Sequence, residues 1–234
     1  MCGPSRGATR PIPMGVLLMA AAGMMTFPYA VLPETGAAPA EPWRLVRDRD
    51  GIRIFHRMVP GSPIPEARAD AIIDAPPSRI YAAVSDYDNF PHFVPYVAGS
   101  KIVRQTDRLV WVYQRLRFPG PIADRRFVIE AVHDIDRPKP GFYTIRWRMA
   151  ERETNGLVQE SGISPAVFTG SWELRPLQGG SMTDATYAVH LDPGGVLPAW
   201  LVRIATDDLL PNVIRAVRDR TRSRRDDDAS SRGR

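Results

Sequence analysis

Arg125 is the charged residue whose surroundings most strongly suggest a binding role. Strand alternation places Arg125, Phe127, Ile129 and Ala131 on one face, and the last three are the apolar side chains that a cavity wall requires. An arginine keeps its charge, so its burial demands a carboxylate, several carbonyls or a ligand group as partner. Two interpretations remain open. Arg125 anchors a ligand hydroxyl, carbonyl or headgroup, or it is a structural arginine at the mouth of the sheet, paired with Asp124 or a neighbouring carboxylate.

Aromatic residues alternate with polar ones in three later segments. In most sheets such residues form the core, but in a sheet that curves around a ligand the core face also lines the cavity. The set predicted to face inward comprises Tyr143, Ile145, Trp147, Met149, Trp172, Leu174, Tyr187 and Val189. Among these we expect Tyr143, Trp147, Trp172 and Tyr187 to contact a ligand.

Residue types used in catalysis and metal binding occur without a recognisable pattern. Residues 41–220 contain no Gly-x-Ser-x-Gly elbow, P-loop or dinucleotide fingerprint. Its one cysteine, Cys2, precedes the apolar leader. The four histidines lack metal-like spacing: His56, His92, His133 and His190. We therefore predict a non-catalytic protein that needs no metal or cofactor.

The charge distribution excludes one large class of partner. The formal net charge is +5, from 31 basic and 26 acidic residues, but the excess lies in the leader and in the C-terminal end. The body between them is close to balanced, so nucleic-acid binding is not predicted. Residues 221–234 are rich in arginine, aspartate and serine, which predicts a disordered tail that is either solvated or in contact with anionic lipid headgroups.

The first forty residues have the composition of a secretory signal. Arg6 and Arg10 precede an apolar run over 14–32, and Ala38-Pro39-Ala40 is a small-residue exit of the kind that signal peptidase accepts. The sequence therefore predicts cleavage after Ala40 and an exported, periplasmic protein. The alternative is an uncleaved membrane anchor, because the run is nearly long enough to span a bilayer.

From Trp43 onward the pattern is that of an antiparallel α+β domain, predicted to cover residues 41–220. Period-2 stretches rich in β-branched and aromatic residues predict strands, and Pro77 with the spacing after it predicts a short helix over 78–85. The short turns between strands favour a meander over parallel crossovers. The predicted strands are 52–58, 67–74, 101–105, 109–118, 125–134, 142–149, 157–160, 170–175 and 183–191.

The last predicted element is a long amphipathic helix over 198–220, which Pro211 must kink or split. A sheet with one apolar face needs cover, so we expect it to wrap around this helix and to leave an internal apolar cavity. The helix is predicted to close the cavity, with a hinge at the 192–195 turn. Its inward residues are predicted to be Trp200, Leu201, Ile204 and Leu209.

Four segments, in this order, carry a resemblance to a known superfamily: 48–54 (DRDGIRI), 73–95 (from IDAPPSRIY to DYDNFPHFVP), 119–127 (PGPIADRRF) and 190–200 (HLDPGGVLPAW). They resemble the START superfamily, including its polyketide-cyclase and coenzyme Q-binding relatives. The resemblance covers nearly everything from Trp43 to Arg220. One departure is Arg126, where the START pattern usually has an acid.

The resemblance implies a helix-grip fold that binds, and in some members transfers, a lipid, sterol-like or isoprenoid ligand with transient membrane contact. Alternatives are an isoprenoid quinone-binding protein, a polyketide cyclase or aromatase-like enzyme, and a scaffold whose own side chains fill the pocket. A monomer is expected. Phe90 and Phe93 lie in a loop over 87–95 that either forms the entrance to the cavity or packs below the first helix.

Overall fold

A single curved sheet dominates the structure, a computed structural model that describes residues 41–119, 122–150, 163–194 and 208–232, with side chains described through Ser223. All described residues belong to one compact unit, Ala37–Arg234. The strands are β1 (Arg44–Arg49), β2 (Ile52–Arg57), β3 (Glu66–Ile73), β4 (Val97–Gln105), β5 (Leu109–Leu116), β6 (Arg125–Ile135), β7 (Tyr143–Met149), β8 (Val167–Leu177) and β9 (Met182–Asp192).

The strand order is β1-β2-β3-β9-β8-β7-β6-β5-β4, with every neighbouring pair antiparallel. Strands β4 to β9 form the predicted meander, while β3 pairs with β9. The chain therefore crosses from the middle of the sheet to its far edge between β3 and β4. Helix α1 (Pro77–Val84) and the 3₁₀ helix Tyr87–His92 make this crossing, and Pro77 occupies the first position of α1, where its missing N–H costs nothing.

Helix α2 (Leu209–Arg232) packs against α1, β2 and β3. Its apolar residues recur at helical spacing, and Leu209, Leu210, Val213, Ile214 and Val217 are all buried. This stripe covers the inward face of the sheet, as the sequence predicts, and the helix-grip α+β architecture is confirmed.

One feature of α2 differs from the prediction. The helix continues to Arg232, where the sequence predicts a disordered tail from residue 221. Arginine is a good helix former, and extending an existing helix avoids the cost of nucleating a new one. Pro211 lies in the first turn of the described helix, and the predicted kink or split at this residue involves preceding residues that lie outside the described ranges.

Strand β1 was not predicted. All six of its residues are exposed and four of them are charged, so it has neither apolar alternation nor a buried face. It forms by pairing with β2 across a tight turn in which Asp50 and Gly51 both have positive φ angles of 56° and 66°. Glycine and aspartate tolerate this conformation better than most residues.

Arg218 of α2 fastens the helix to this edge of the sheet. Its guanidinium donates to the backbone carbonyls of Asp50, Gly51 and Ile72 at 3.2, 3.1 and 3.0 Å. The β1–β2 turn and the end of β3 are thereby tied to the middle of α2.

Several predictions fall on residues that the structure does not describe. They are the leader over 1–40, the strand over 157–160 and the helix start over 198–207, which includes Trp200, Leu201 and Ile204. Within the described ranges, no helix combines the length and the apolar character needed to cross a membrane.

Candidate ligand cavity

An apolar cavity of about 90 Å³ lies between the concave face of the sheet and α2. Three walls enclose it. The sheet supplies Trp147, Phe168, Trp172 and Tyr187 among others. Helix α2 supplies Leu209, Val213 and Val217, and the segment between α1 and β4 supplies Tyr87, Phe90 and Phe93. None of the described side chains that line the cavity carries a charge.

The sheet wall is a stack of aromatic rings. Tyr187 of β9 stacks on Trp172 of β8 with ring centroids 4.5 Å apart, and on Trp147 of β7 with centroids 6.0 Å apart. Gly170 lies directly opposite Trp147 in the β7–β8 register. A Cβ atom on Gly170 would overlap the Trp147 indole and the carbonyl oxygen of Ala188, so only glycine lets the indole lie flat over β8.

The helix wall uses one face of α2, because Leu209, Val213 and Val217 recur every four residues. Phe90 and Phe93 form part of the opposite wall, with their ring centroids 5.7 Å apart. The 87–95 loop therefore contributes to the lining of the cavity.

Seven residues predicted to contact a ligand line the cavity: Phe90, Phe93, Ile129, Trp147, Trp172, Tyr187 and Leu209. Phe127 and Tyr143 do not. Phe127 is fully buried and packs edge-on against Phe168, with centroids 5.0 Å apart, so Phe168 takes its place in the wall. Tyr143 lies near the end of the sheet, where it stacks on Tyr81 at 4.9 Å.

Arg125 faces inward and is 5% exposed, yet it lies outside the lining of the cavity. Its guanidinium donates to the carbonyls of Ala123, Pro193 and Gly194 at 2.5, 2.6 and 3.2 Å. Burial lowers the pKa of Arg125. The three carbonyls match the structural interpretation of this residue.

Asp124 does not pair with Arg125, as the sequence predicts, but with Arg117. Asp124 accepts from Arg117 Nε and Nη2, both at 3.3 Å. The hydrogen bond from Arg117 lowers the pKa of Asp124. Backbone carbonyls, in place of a carboxylate, therefore satisfy the Arg125 guanidinium.

Gln114 of β5 is a polar lining residue that the sequence analysis missed. It is 4% exposed and belongs to an inward row otherwise formed by Val110, Val112 and Leu116. No described residue hydrogen-bonds to its side-chain amide, although the cavity wall around it is apolar. The alternation within the predicted strand 109–118 contained the signal, because it places this one amide in an aliphatic row.

A second polar atom of the wall also lacks a partner. The indole Nε1 of Trp147 is buried, and no described residue accepts a hydrogen bond from it. A buried donor without an acceptor costs about 1–3 kcal/mol, so its presence calls for an explanation.

His133 is the other polar residue that was missed. It follows Arg125, Phe127, Ile129 and Ala131 in the inward row of β6 and is buried. Its Nδ1 lies 2.8 Å from the Tyr81 hydroxyl and its Nε2 lies 2.9 Å from the Tyr87 hydroxyl. The sequence analysis tested the histidines only for metal spacing. Among the described residues, no three His, Cys, Asp or Glu side chains cluster as metal ligands would.

Comparison with known proteins agrees with this geometry. Residues 73–218 match the family model described as polyketide cyclase / dehydrase and lipid transport. An uncharacterised protein of Pseudomonas aeruginosa is 28% identical over 202 residues, which is 86% of this chain and 97% of that protein.

Two solved structures share the fold. A STAR-related lipid transfer protein from Xanthomonas axonopodis is 26% identical with a TM-score of 0.68, over 77% of this chain and 98% of that one. The human StarD13 lipid transfer and protein localization domain is 20% identical with a TM-score of 0.65, over 77% of this chain and 89% of that one. The matched family model covers more than half of the chain and includes α1, the aromatic wall and the cavity-facing part of α2. The chain therefore belongs to the polyketide cyclase/dehydrase and lipid transport family, within the START superfamily that its sequence resembles.

Proposed function

We propose that the protein binds an uncharged hydrophobic molecule between the sheet and α2 and carries it through water. Burial of apolar surface at about 25 cal/mol per Å² gives ample affinity without a covalent bond. The family description includes lipid transport, and the Xanthomonas axonopodis relative is described as a lipid transfer protein, which supports this assignment.

The observation that carries the proposal is the absence of charge from the described lining of the cavity. A phosphate or carboxylate buried there would meet no cation among the described lining residues, and an isolated buried charge is costly. The ligand is therefore uncharged in the part that enters the cavity.

Gln114 and the Trp147 indole indicate which polar groups the ligand carries. An amide offers both a donor and an acceptor, while an indole offers only a donor. A hydroxyl or a carbonyl on the ligand would satisfy both sites. Sterol-like alcohols, isoprenoid alcohols and isoprenoid quinones have this chemistry, and the quinone remains the main alternative within the class.

The size of the cavity indicates that binding requires movement. Ligand pockets commonly measure about 300–1,000 Å³, whereas this cavity measures about 90 Å³. A whole lipid enters only if a wall moves outward. We propose that α2 moves, because its residues Leu209, Val213 and Val217 form a continuous wall on a separate element.

Non-catalytic binding is the proposed role. Tyrosines are the only ionisable residues among the described lining, and burial raises the pKa of Tyr87 and of Tyr187. Both hydroxyls are therefore weak acids at neutral pH. An assay for turnover of added polyketide or aromatic substrates tests the cyclase alternative.

The direct test is extraction of the purified native protein with organic solvent, followed by mass spectrometry. A neutral lipid with a hydroxyl or carbonyl is expected. An extract that contains only phospholipids or other charged lipids would contradict the proposal.

Gln114→Leu tests the polar contact once a ligand is in hand. Loss of one hydrogen bond of about 1 kcal/mol should weaken binding about fivefold, without a loss of stability. Gln105→Leu, at an exposed position of β4, is the matched control and should bind like the wild type. Equal affinities for the two variants would remove Gln114 from the site.

A disulfide tests the gate. Val213→Cys would be paired with a cysteine on a facing strand whose Cα lies about 4.4–6.8 Å away. Lipid transfer between vesicles should be slower for the oxidised form than for the reduced form. Equal rates, with the crosslink confirmed and the fold intact, would assign the gate to the 87–95 loop.

We also propose that the protein acts after export, on the strength of the leader pattern over 1–40. Intact-mass analysis of extracytoplasmic protein should give a chain that starts at Glu41. Retention of residues 14–32 in a membrane fraction would favour the anchor.

A further inference from the structure

His133 joins three elements through one imidazole ring. The residue is 6% exposed on β6, and its two nitrogens lie within hydrogen-bond distance of Tyr81 on α1 and Tyr87 at the start of the 3₁₀ helix. Tyr87 is also a lining residue of the cavity, whereas His133 lies behind it. The imidazole therefore contacts a residue of the cavity wall without lining the cavity itself.

The surroundings select one tautomer of the neutral ring. A neutral imidazole donates from one nitrogen and accepts at the other. The Tyr87 hydroxyl is buried and has no other partner among the described residues, so its proton must go to Nε2. Tyr81 is only partly buried, so its hydroxyl can accept from Nδ1–H and donate its own proton to water.

The elements packed around the ring carry few groups that could stabilise a positive charge. From α1 and the 3₁₀ helix the ring meets the neutral hydroxyls of Tyr81 and Tyr87, whose pKa values are both raised by burial. From β7 it meets Ile145, its partner in the register, while Tyr143 stacks on Tyr81.

The carboxylate that acts on the ring is that of Asp134, which follows His133 on β6 and therefore lies on the opposite face of the sheet. It forms ion pairs with Arg108 and with Arg146, the latter at 3.5 Å. Burial lowers the pKa of His133, and Asp134 acts in the opposite direction as the smaller effect. The neutral ring is thus the form that the fold favours.

We propose that His133 is a positioning residue that holds Tyr87 in the cavity wall while neutral and loosens that wall when protonated, so that ligand retention depends on pH. This inference rests on the proposed function.

Protonation changes the hydrogen bonding at one position in particular. An imidazolium donates from both nitrogens, so Nε2 can no longer accept the Tyr87 proton. The Tyr87 oxygen can then only accept from Nε2–H, so its own proton loses its acceptor; a buried hydroxyl proton without an acceptor is costly, and movement of Tyr87 relieves this cost. Tyr87 packs on Phe90, with centroids 5.1 Å apart, so movement of one ring disturbs two lining residues.

The direction of the effect follows from the lowered pKa of His133. The unfolded chain takes up a proton near pH 6.5, and the native protein takes it up at a lower pH, so acid disfavours the native arrangement below about pH 6.5. If only the neutral form retains ligand, the apparent affinity falls by up to about tenfold for each pH unit below the native pKa.

The test uses the neutral fluorescent probe N-phenyl-1-naphthylamine and the whole chain, titrated between about pH 7.5 and about pH 4.5. Wild type should bind at neutral pH and lose affinity in acid. His133→Gln, which is polar but does not titrate, should bind at neutral pH and lose the acid-dependent step.

His190→Gln is the matched control. His190 is also buried, on β9, but it lies on the face of the sheet opposite to that of Tyr187; its Nε2 contacts Ser62 Oγ at 3.0 Å and it does not line the cavity. This variant should keep the step. A step that survives in His133→Gln, or that disappears in His190→Gln, overturns the inference.

Two further measurements keep the inference testable if His133→Gln does not fold. Tyr87→Phe keeps the ring and removes the hydroxyl, so it should bind the probe with a weaker pH dependence. Nitrogen NMR of wild type should show the Nδ1–H tautomer of His133 at neutral pH, and the Nε2–H tautomer would overturn the argument.

The outcomes separate this inference from the proposed function. Wild type that binds the probe with the same affinity at all pH values rejects the role of His133 alone. Wild type that fails to bind the probe at neutral pH removes the proposed function and this inference together.

Discussion

Arg125 and Arg218 make the same kind of contact at opposite ends of the interface between helix and sheet, but their surroundings differ. Each guanidinium is satisfied by backbone carbonyls of three residues, with Arg125 binding Ala123, Pro193 and Gly194 and Arg218 binding Asp50, Gly51 and Ile72. Arg125 is almost fully buried, whereas Arg218 is partly exposed. Burial lowers the pKa of both.

The difference shows how burial determines how much the same hydrogen bonds contribute to the free energy of unfolding. Turns and strand ends leave carbonyls without ladder partners, and the planar fork of arginine can serve several at once. At Arg218, water can replace the guanidinium. At Arg125, water has little access, so the carbonyls would be left unsatisfied.

The largest expected effect is therefore at Arg125. Arg125→Met should reduce the free energy of unfolding by about 3 kcal/mol, because it leaves buried carbonyls without donors. Arg125→Lys should recover only part of this loss, since an ammonium cannot reproduce the fork. Urea unfolding measures both, and a loss below about 1 kcal/mol for the methionine variant would show that water reaches this site.

A smaller effect is expected at Arg218. Arg218→Met should cost about 1 kcal/mol in the same measurement, because the freed carbonyls can hydrogen-bond to water. If this variant proves as destabilised as Arg125→Met, burial is not what separates the two sites.

The smallest effect is the coupling between them. Arg125 binds beyond the end of β9, while Arg218 binds Ile72, whose β9 partner is Asp184. Asp184 and the end of β9 at Asp192 lie about 27 Å apart along the strand, at roughly 3.4 Å per residue. The double variant should equal the sum of the single variants within about 0.5 kcal/mol. A larger deviation from additivity would mean that the two ends of the interface between helix and sheet open together.

Much of the fold could be predicted because apolar residues recur at regular spacing within each strand and helix. Strands such as β2 and β9 carry alternating apolar residues, and α2 carries an apolar stripe at helical spacing, so the sequence of each element indicates which of its faces is buried. Strand β1 could not be found this way, because a strand with no buried face has no pattern. Only its pairing with β2 specifies it.

The site was predictable where it coincides with the core. Trp147, Trp172 and Tyr187 were found because inward aromatic residues line any cavity in this sheet. Gln114 and His133 occupy the same inward rows but are polar, and Arg125 was the one polar inward residue predicted to contact a ligand. Their apolar neighbours in the inward row distinguish them from exposed polar residues. Period-2 alternation identifies such residues when polar positions are assigned to a face as well as apolar ones.

The exposed edge strand β1 has a consequence for how copies of this protein meet. An open sheet presents unpaired backbone groups along its edge, which another edge can join. If two copies of β1 paired antiparallel about their centres, Arg44 of each would face Arg49 of the other, and Val46 would face Arg47. Like charges directly opposite destabilise a ladder. The same arginines that leave β1 without an apolar pattern therefore make this edge of the sheet a poor template for self-association.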